Sequence, residues 1–552
     1  MSLKPNQQVD IPVETARIAQ AIFPQANDVM RLRDELGHLY TEEQFADLFP
    51  ANGHPAESPA TLAWVLVLQF MEGLTDRQTA DAVRSRIDWK YALGLELTDP
   101  GFDFSILCEF RARLIAGHAE TRLLDTLLTA FQARGLLKAR GRQRTDSTHV
   151  LTAVRDLNRL ERVGETLRHA LNECAKLEPT WLKATTPAEW YPRYAKRFDQ
   201  MHLPKVQTER EQLAEQIGRD GQALITRLAE SDTPTGLSTL KCVEILRTVW
   251  SQQYHITECD GVLTVRWRKG AERPSAAQQI ESPYDPETHY CTHNTTDWKG
   301  YKVHFTETCD DDADLHVITH VETTLATDQD VEAPEPIHKA LAQRDLLPTE
   351  HFMDAGYVDA DLVVEAKRDY EMEIVGPITQ DVSWQAREKT GYDLSQFVVD
   401  WEAHQVTCPQ GQHSTQWSAS HDRTANHIIV VGFTRTTCQT CPVRAKCTRN
   451  KTSGRSMQLR PREQHEAIQR IRAQRTTDEF KLKYRKRAGI EGTISQAVRA
   501  FEARRTRYIG LAKTHLQMVA TAAAINLSRF ADYLFGARPI TKRTSPFAAL
   551  AA

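Results

Sequence analysis

Three carboxylates and four thiols are the residues of this chain whose type and spacing could do chemistry. Glu491 stands in "YRKRAGIEGTISQ", seven residues after Tyr484 and four after Arg487. Between Lys481 and Lys513 ten residues are Lys or Arg, and only Glu491 and Glu502 oppose them. A lone acid in such a field is either a neutralised surface group or one placed to hold a cation beside a polyanion. Asp146, in "RTDSTHVL", falls on a strand-like run, and Asp354, in "FMDAGY", falls where a strand ends. In α/β sheets side chains at strand ends converge on an open crevice. Three convergent carboxylates with no lysine among them repel one another unless they share divalent cations. Mg2+ takes oxygen ligands at roughly 2.0–2.1 Å and keeps positions open for water and phosphate. Two such ions about 3.5–4 Å apart activate an attacking oxygen and stabilise a leaving one. The chain has 73 Asp and Glu, so other triples can be drawn, and any single acid is by default a surface residue.

The thiols are Cys408, Cys438, Cys441 and Cys447, within "CPQG" and "CQTCPVRAKC". A C-x2-C pair with two more cysteines in the same irregular segment can supply four thiolates to Zn2+, and the spacing also permits an iron–sulfur cluster. The segment shows no obvious hydrophobic core, so a metal would explain how it folds. The other six cysteines are scattered and read as reduced thiols.

These groups need elements to carry them. Residues 1–137 read as helices. Ser58-Pro59 caps "ATLAWVLVLQFMEG", which ends at Gly73; Thr75 or Asp76 caps "DRQTADAVRSR"; a third helix starts near Ser105. Two short helices about a glycine turn, with exposed Arg and Gln, have the outline of a helix-turn-helix, as do many pairs that only pack. Alternation along 140–151 puts Asp146, Thr148 and Val150 on one face of a strand. Helical patterns fill 155–280, broken by "GVLTVRW" near 261. "GYKVHFTET" and "LHVITHVETT" are strands joined by an acidic turn whose four Asp (310, 311, 312, 314) fit no calcium loop and read as solvated. A helix near 331–345, then strand, turn and helix through Asp354, Gly356 and Asp359, then the strand "YEMEIVGPI", give alternating α and β. Beyond the Thr-, Gln-, His- and Cys-rich 381–460, long helices return from 461 to 535. One of them is expected to carry Tyr484, Arg487, Glu491, Ser495 and Val498 on roughly one face. Asp328, in "TTLATDQD", reads as a loop or cap acid that would support the site only from a strand end; His149 and His304 read as packed strand residues.

The formal charge of −4 gives no nucleic-acid affinity by itself, so any such affinity rests on the basic C-terminal helix, which would bind DNA phosphates with strong salt dependence. The longest apolar run, "LAWVLVLQF", is too short to cross a bilayer, and the first residues lack the layout of a signal peptide. A soluble cytoplasmic protein with no membrane partner is expected.

"TDST", "FMDAGY" and Tyr484-x-x-Arg487-x-x-x-Glu491 resemble the motifs of bacterial insertion-sequence DDE transposases with an RNase H-like catalytic domain. The resemblance extends to "SPYDPE", "DWKGYKVHFTET" and "RTRYIGLAKTHLQ", and it covers most of the chain in the expected order. It implies that Asp146, Asp354 and Glu491 bind two Mg2+ ions, with Mn2+ as substitute, and that Tyr484 and Arg487 position the substrate strand. Arg499, Arg505, Arg507, Tyr508, Lys513, Lys299 and Lys302 join them as expected DNA contacts. It implies an α/β fold: helical N-terminal DNA-binding and dimerisation domain (1–137), RNase H-like mixed-sheet core (138–154 and 281–380), helical insertion (155–280), cysteine-rich metal-binding insertion (381–460), C-terminal core helices (461–535) and a flexible tail (536–552). The activity implied is binding of terminal inverted repeats, strand cleavage and strand transfer into target DNA, by a homodimer that holds two ends. The family often has lysine seven residues after the glutamate; here Val498 stands there, and Arg499 points about 100° away. A metal-dependent nuclease without strand transfer, and a non-catalytic DNA-binding derivative, are the rival readings.

Overall fold

The strand expected around Asp146 is β1, Arg140–Leu151, and it lies inside a mixed sheet. The computed structural model describes residue 3 and residues 10–50, 52–259, 262–293, 295–388, 390–423 and 425–536. All but Gly536 of the expected flexible tail lies outside them. After β1 come a hairpin, β2 (Tyr254–Cys259) and β3 (Val262–Trp267), and then the rest of the sheet: β4 (His289–His293), β5 (Thr296–Thr308), β6 (Ile318–Leu325), β7 (Pro348–Phe352) and β8 (Glu373–Val375). β5 runs antiparallel to β1 on one side and to β4 and β6 on the other. β1, β7 and β8 pair parallel. Alternating strands and helices thus give the mixed α/β fold the sequence pattern calls for.

The Leu511–Phe535 helix is buried along most of its length because it lies between this sheet and the helices of residues 13–133. Its Ala520, Ala523 and Ala524 are buried small residues that allow close approach, and Phe530 meets Phe131 at a ring separation of 4.9 Å. Asn526 within it donates to the Ile318 carbonyl and accepts from the Ile318 N–H, both at 2.8 Å, so this buried amide is satisfied against β6. The N-terminal helices form as their caps direct. Ser58 Oγ accepts from Thr61 N–H, Gly73 closes that helix in the left-handed region, and Thr75 with Gln78 forms a capping box.

Residues 159–267 build a second apolar core around Trp250, Tyr254, Phe198 and Leu246. A third and smaller one, Phe397, Val406, Val431, Phe433, Met457 and Leu459, lies among β9 (Val398–Asp400), β10 (Gln405–Thr407), β11 (Gln416–His421), β12 (His427–Gly432) and β13 (Ser456–Leu459). This corrects the expectation that the cysteine-bearing segment lacks a core. Its apolar residues are spread from Phe397 to Leu459, so no local window of sequence displays them together.

The expected single helix from Tyr484 to Val498 is also corrected. Asp478–Tyr484 is one short helix, Arg485–Ala488 a 3-10 turn, and Gly489–Phe501 a second helix. The cause is close packing: Arg144 of β1 donates to the Lys486 carbonyl at 2.7 Å, and a Cβ on Gly489 would lie 1.9 Å from an Arg144 nitrogen. Only glycine lets the turn sit down on that guanidinium.

Candidate active site

β1 and β7 pair in parallel as far as Arg144 and Phe352. Two residues further along each stand Asp146 and Asp354, where the ladder has ended and the strands part. Asp146 remains held on its other side, opposite Phe305 of β5. Asp354 is fixed by its turn, its Oδ1 accepting from Gly356 N–H at 2.8 Å. Glu491 occupies the first turn of the Gly489–Phe501 helix, where an acid is favoured by the helix dipole. The three come from distant parts of the chain and meet at one group. Arg487 Nη2 donates to Asp146 Oδ2 at 2.6 Å and lies 3.7 Å from Asp354 Oδ2, while Nη1 donates to Glu491 Oε1 at 3.3 Å.

The acids differ in setting. The side chain of Asp146 is 15% exposed, that of Asp354 41% and that of Glu491 67%, with Arg487 at 17%. Burial pushes the Asp146 carboxyl up to about 6; Arg487 works against this, while the charges of Asp354 and Glu491 reinforce it. The donor set is all oxygen, the chemistry that suits Mg2+. The arrangement is not ready for it: among the described residues no group of three or more His, Cys, Asp or Glu is disposed to hold a metal ion. At this site the physical reason is the guanidinium lying between the acids.

Tyr484 packs its ring against Phe480, stacked at 5.8 Å, over Cys309, Phe352 and Val375. Burial raises its phenol pKa, and Asp354 and Asp146 are close enough to add to the effect. Of the other expected contacts, Arg499, Arg505 and Lys513 are exposed. Arg507 turns inward, donating to the Leu74 carbonyl at 2.7 Å over the Phe70 ring, and Tyr508 lies beneath the Arg111 guanidinium. Lys299 is paired with Glu281 and Asp156, and Lys302 with Asp330 at 2.8 Å. Asp328 closes a turn, accepting from Leu325 N–H at 3.0 Å. His149 lies beside Trp298, and His304 is buried between Tyr357 OH at 2.7 Å and Thr324 Oγ1 at 3.1 Å, both as packed strand residues.

Two neighbours of the site went unread in the sequence. Asp330, not Asp328, reaches the Asp354 turn: a Cβ on Gly356 would lie 3.1 Å from Asp354 Oδ1 and 3.6 Å from Asp330 Oδ2. Glu307, inside "HFTET", is fully buried and paired with Arg144 and Arg529, which tie β1 to the two C-terminal helices. No local signal marks either acid, because the basic partners that fix them, Arg529 for Glu307 and Lys302 for Asp330, lie at a distance in sequence.

Cys408, Cys438, Cys441 and Cys447 line one cavity of about 30 Å3 with Phe397 and Phe433. They do not form a ligand set. Cys438 Sγ accepts from Arg455 N–H at 3.4 Å, and burial pushes the Cys447 thiol up to about 11. The expected zinc or iron–sulfur centre is therefore not supported, and the apolar core explains the fold of this segment without one.

Residues 407–531 match the family model described as Transposase DDE domain, and residues 18–113 the one described as Transposase domain (DUF772). Tyr484, Arg487 and Glu491 fall inside the first match; Asp146 and Asp354 precede it. No curated protein and no solved structure gives a significant match. Among the described residues no helix is long and apolar enough to cross a membrane.

Proposed function

We propose that this chain, which matches two transposase family models over part of its length, is an insertion-sequence DDE transposase that binds the terminal inverted repeats of its element, cuts there and joins the freed 3′-hydroxyl to target DNA. The observation that carries this reading is the meeting of Asp146, Asp354 and Glu491, from three distant segments, around one guanidinium at the end of the β1–β7 ladder. We read the six-stranded sheet as the RNase H-like core.

These three acids are the ones that would hold Mg2+, which when bound activates an attacking oxygen and stabilises a leaving one at a phosphate. The chain's own residues supply the rest. β1 and β7 fix two of the acids at backbone positions set by their pairing, so the site is built before substrate arrives. Arg487 and Tyr484 border the site and orient the strand, while exposed Arg499, Arg505 and Lys513 hold the flanking backbone. Two ends must be held together, so the working form is a homodimer.

The test is cleavage and joining on a labelled duplex ending in the element's own repeat, with Mg2+ and with chelator, for the wild type beside Glu491→Gln. Metal-dependent release of a 3′-hydroxyl that joins a second duplex, lost in the variant, is the expected result. Cleavage without joining would make the protein a nuclease, and binding without cleavage a non-catalytic DNA-binding derivative.

A further inference from the structure

We propose that Arg487 is the resident cation of the carboxylate site, and that its guanidinium and a divalent metal ion occupy that site in turn. The inference rests on the reading of Asp146, Asp354 and Glu491 as metal ligands and adds how the site is kept until metal arrives. Three carboxylates this close repel one another, so a fold that preorganises them needs a positive charge at their centre. Arg487 is that charge: one nitrogen lies 2.6 Å from Asp146 and 3.7 Å from Asp354, the other 3.3 Å from Glu491. Two other basic residues of the same segment are engaged elsewhere, and Arg485 is exposed. Lys483 pairs with Glu350 and Glu373, and Lys486 with Asp311.

A guanidinium and Mg2+ cannot share this space. The ion draws oxygen ligands to roughly 2.0–2.1 Å, and the guanidinium now spans those oxygens, its nitrogens hydrogen-bonded to Asp146 and Glu491. Arg487 is also built to leave. Its Nε is buried without a partner, so only the tip of the side chain is held, and that tip is held by the acids alone. It projects from the four-residue 3-10 turn at the surface edge of the site and not from the interior of a long helix. Displaced, its charge becomes available to a phosphate at the mouth of the site. Linkage then requires that a phosphate which draws Arg487 away tightens metal binding by the same factor.

The experiment measures Mn2+ affinity of the full-length protein by titration calorimetry, without DNA. Arg487→Gln, which keeps bulk and loses the charge, is expected to bind Mn2+ about ten-fold or more tightly than wild type, since each 1.4 kcal/mol of lost competition is ten-fold. Arg487→Lys, a cation without the planar fork, should fall between and guards against a folding defect in the first variant. Arg219→Gln, an exposed arginine on the Gln207–Arg227 helix, controls for net charge and should leave affinity unchanged. Mn2+ binding by Arg487→Gln that is equal to or weaker than wild type overturns the inference while leaving the ligand assignment standing. Mn2+ binding that survives Asp146→Asn in the Arg487→Gln background overturns the ligand assignment itself, and this inference with it.

Discussion

Two glutamates on opposite sides of the Gly489–Phe501 helix have opposite physical roles. Glu491 is mostly exposed and stands in a group of like charges, so exchanging it for glutamine should change folding stability by no more than about 0.5 kcal/mol in either direction, the range of ordinary surface substitutions. Glu307 is fully buried and serves Arg144 at 2.7 Å, Arg529 at 3.0 Å and the Thr493 hydroxyl. Glu307→Gln leaves two guanidiniums without their counter-charge and is expected to cost about 3–5 kcal/mol. Urea unfolding of both variants decides it; equal midpoints would mean that the Glu307 cluster is not what fixes the C-terminal helices to β1. The first glutamate was legible in the sequence because its chemistry is local, an acid spaced from Tyr484 and Arg487 in a basic run. Glu307 was not, because its partner Arg529 is 222 residues away and a buried acid looks like any other until its cation is seen. Asp330 went unread for the same reason: its lysine lies 28 residues back, on β5.

At the level of elements, β1 was readable to its ends, since β-branched alternation and flanking charge are local signals. What it packs against was not. Behind Asp146 on β1, Thr145 Oγ1 meets Thr306 Oγ1 at 2.7 Å and His351 Nε2 at 2.7 Å, and His351 Nδ1 meets His338 Nε2 at 3.0 Å. This chain ties β5, β1, β7 and the Pro334–Gln343 helix, and both histidines sit in it neutral. Burial pushes His338 down to about 4 and holds His351 well below its ordinary range, helped by the charge His338 would carry. Both folded values lie below the unfolded one near 6.5, so the unfolded chain takes up protons first as the solution is acidified. The stability these groups give is fully present above about pH 6.5 and drains away as pH falls towards 4, by about 3 kcal/mol for His338 alone. In His338→Gln the pH dependence across that window should be shallower by one proton, about 1.4 kcal/mol per pH unit. Denaturant midpoints measured from pH 7 to pH 4.5 would show it, and a variant curve parallel to wild type would place the acid sensitivity elsewhere. The break of the Tyr484–Val498 segment into two helices and a turn belongs to this scale too. Helical periodicity runs through it unbroken, and only the Arg144 guanidinium beneath Gly489 ends it.

Over the whole molecule, periodicity shows that a helix has an apolar face and leaves open which surface covers it. The N-terminal helices and the Leu511–Phe535 helix, some 380 residues apart in their nearest described segments, bury one another in a single core. Phe131 against Phe530, and the Pro59–Glu72 helix against the Leu511–Phe535 helix, are the apolar part of this contact. Arg507 to the Leu74 carbonyl and Arg344 to Asp125 at 2.8 Å add polar ties from neighbouring segments to the N-terminal helices. Each large apolar side chain uncovered there forfeits about 1.5–3 kcal/mol, and several would be uncovered at once, against a total stability of only about 5–15 kcal/mol. A fragment comprising residues 138–552 should therefore fail to fold: expressed alone, it is expected to aggregate or to unfold without a cooperative transition. Co-expression with residues 1–137 should restore a soluble complex, because the same face is then covered by a separate chain. A soluble 138–552 fragment with a sharp urea transition would show that the helix bearing Phe530 finds its cover within the catalytic half. The N-terminal helices would then be mechanically separate from the carboxylate site. If the two halves fold only together, a displacement of the N-terminal helices reaches the Leu511–Phe535 helix directly. From there it passes through Arg529 and Glu307 to the strand that carries Asp146.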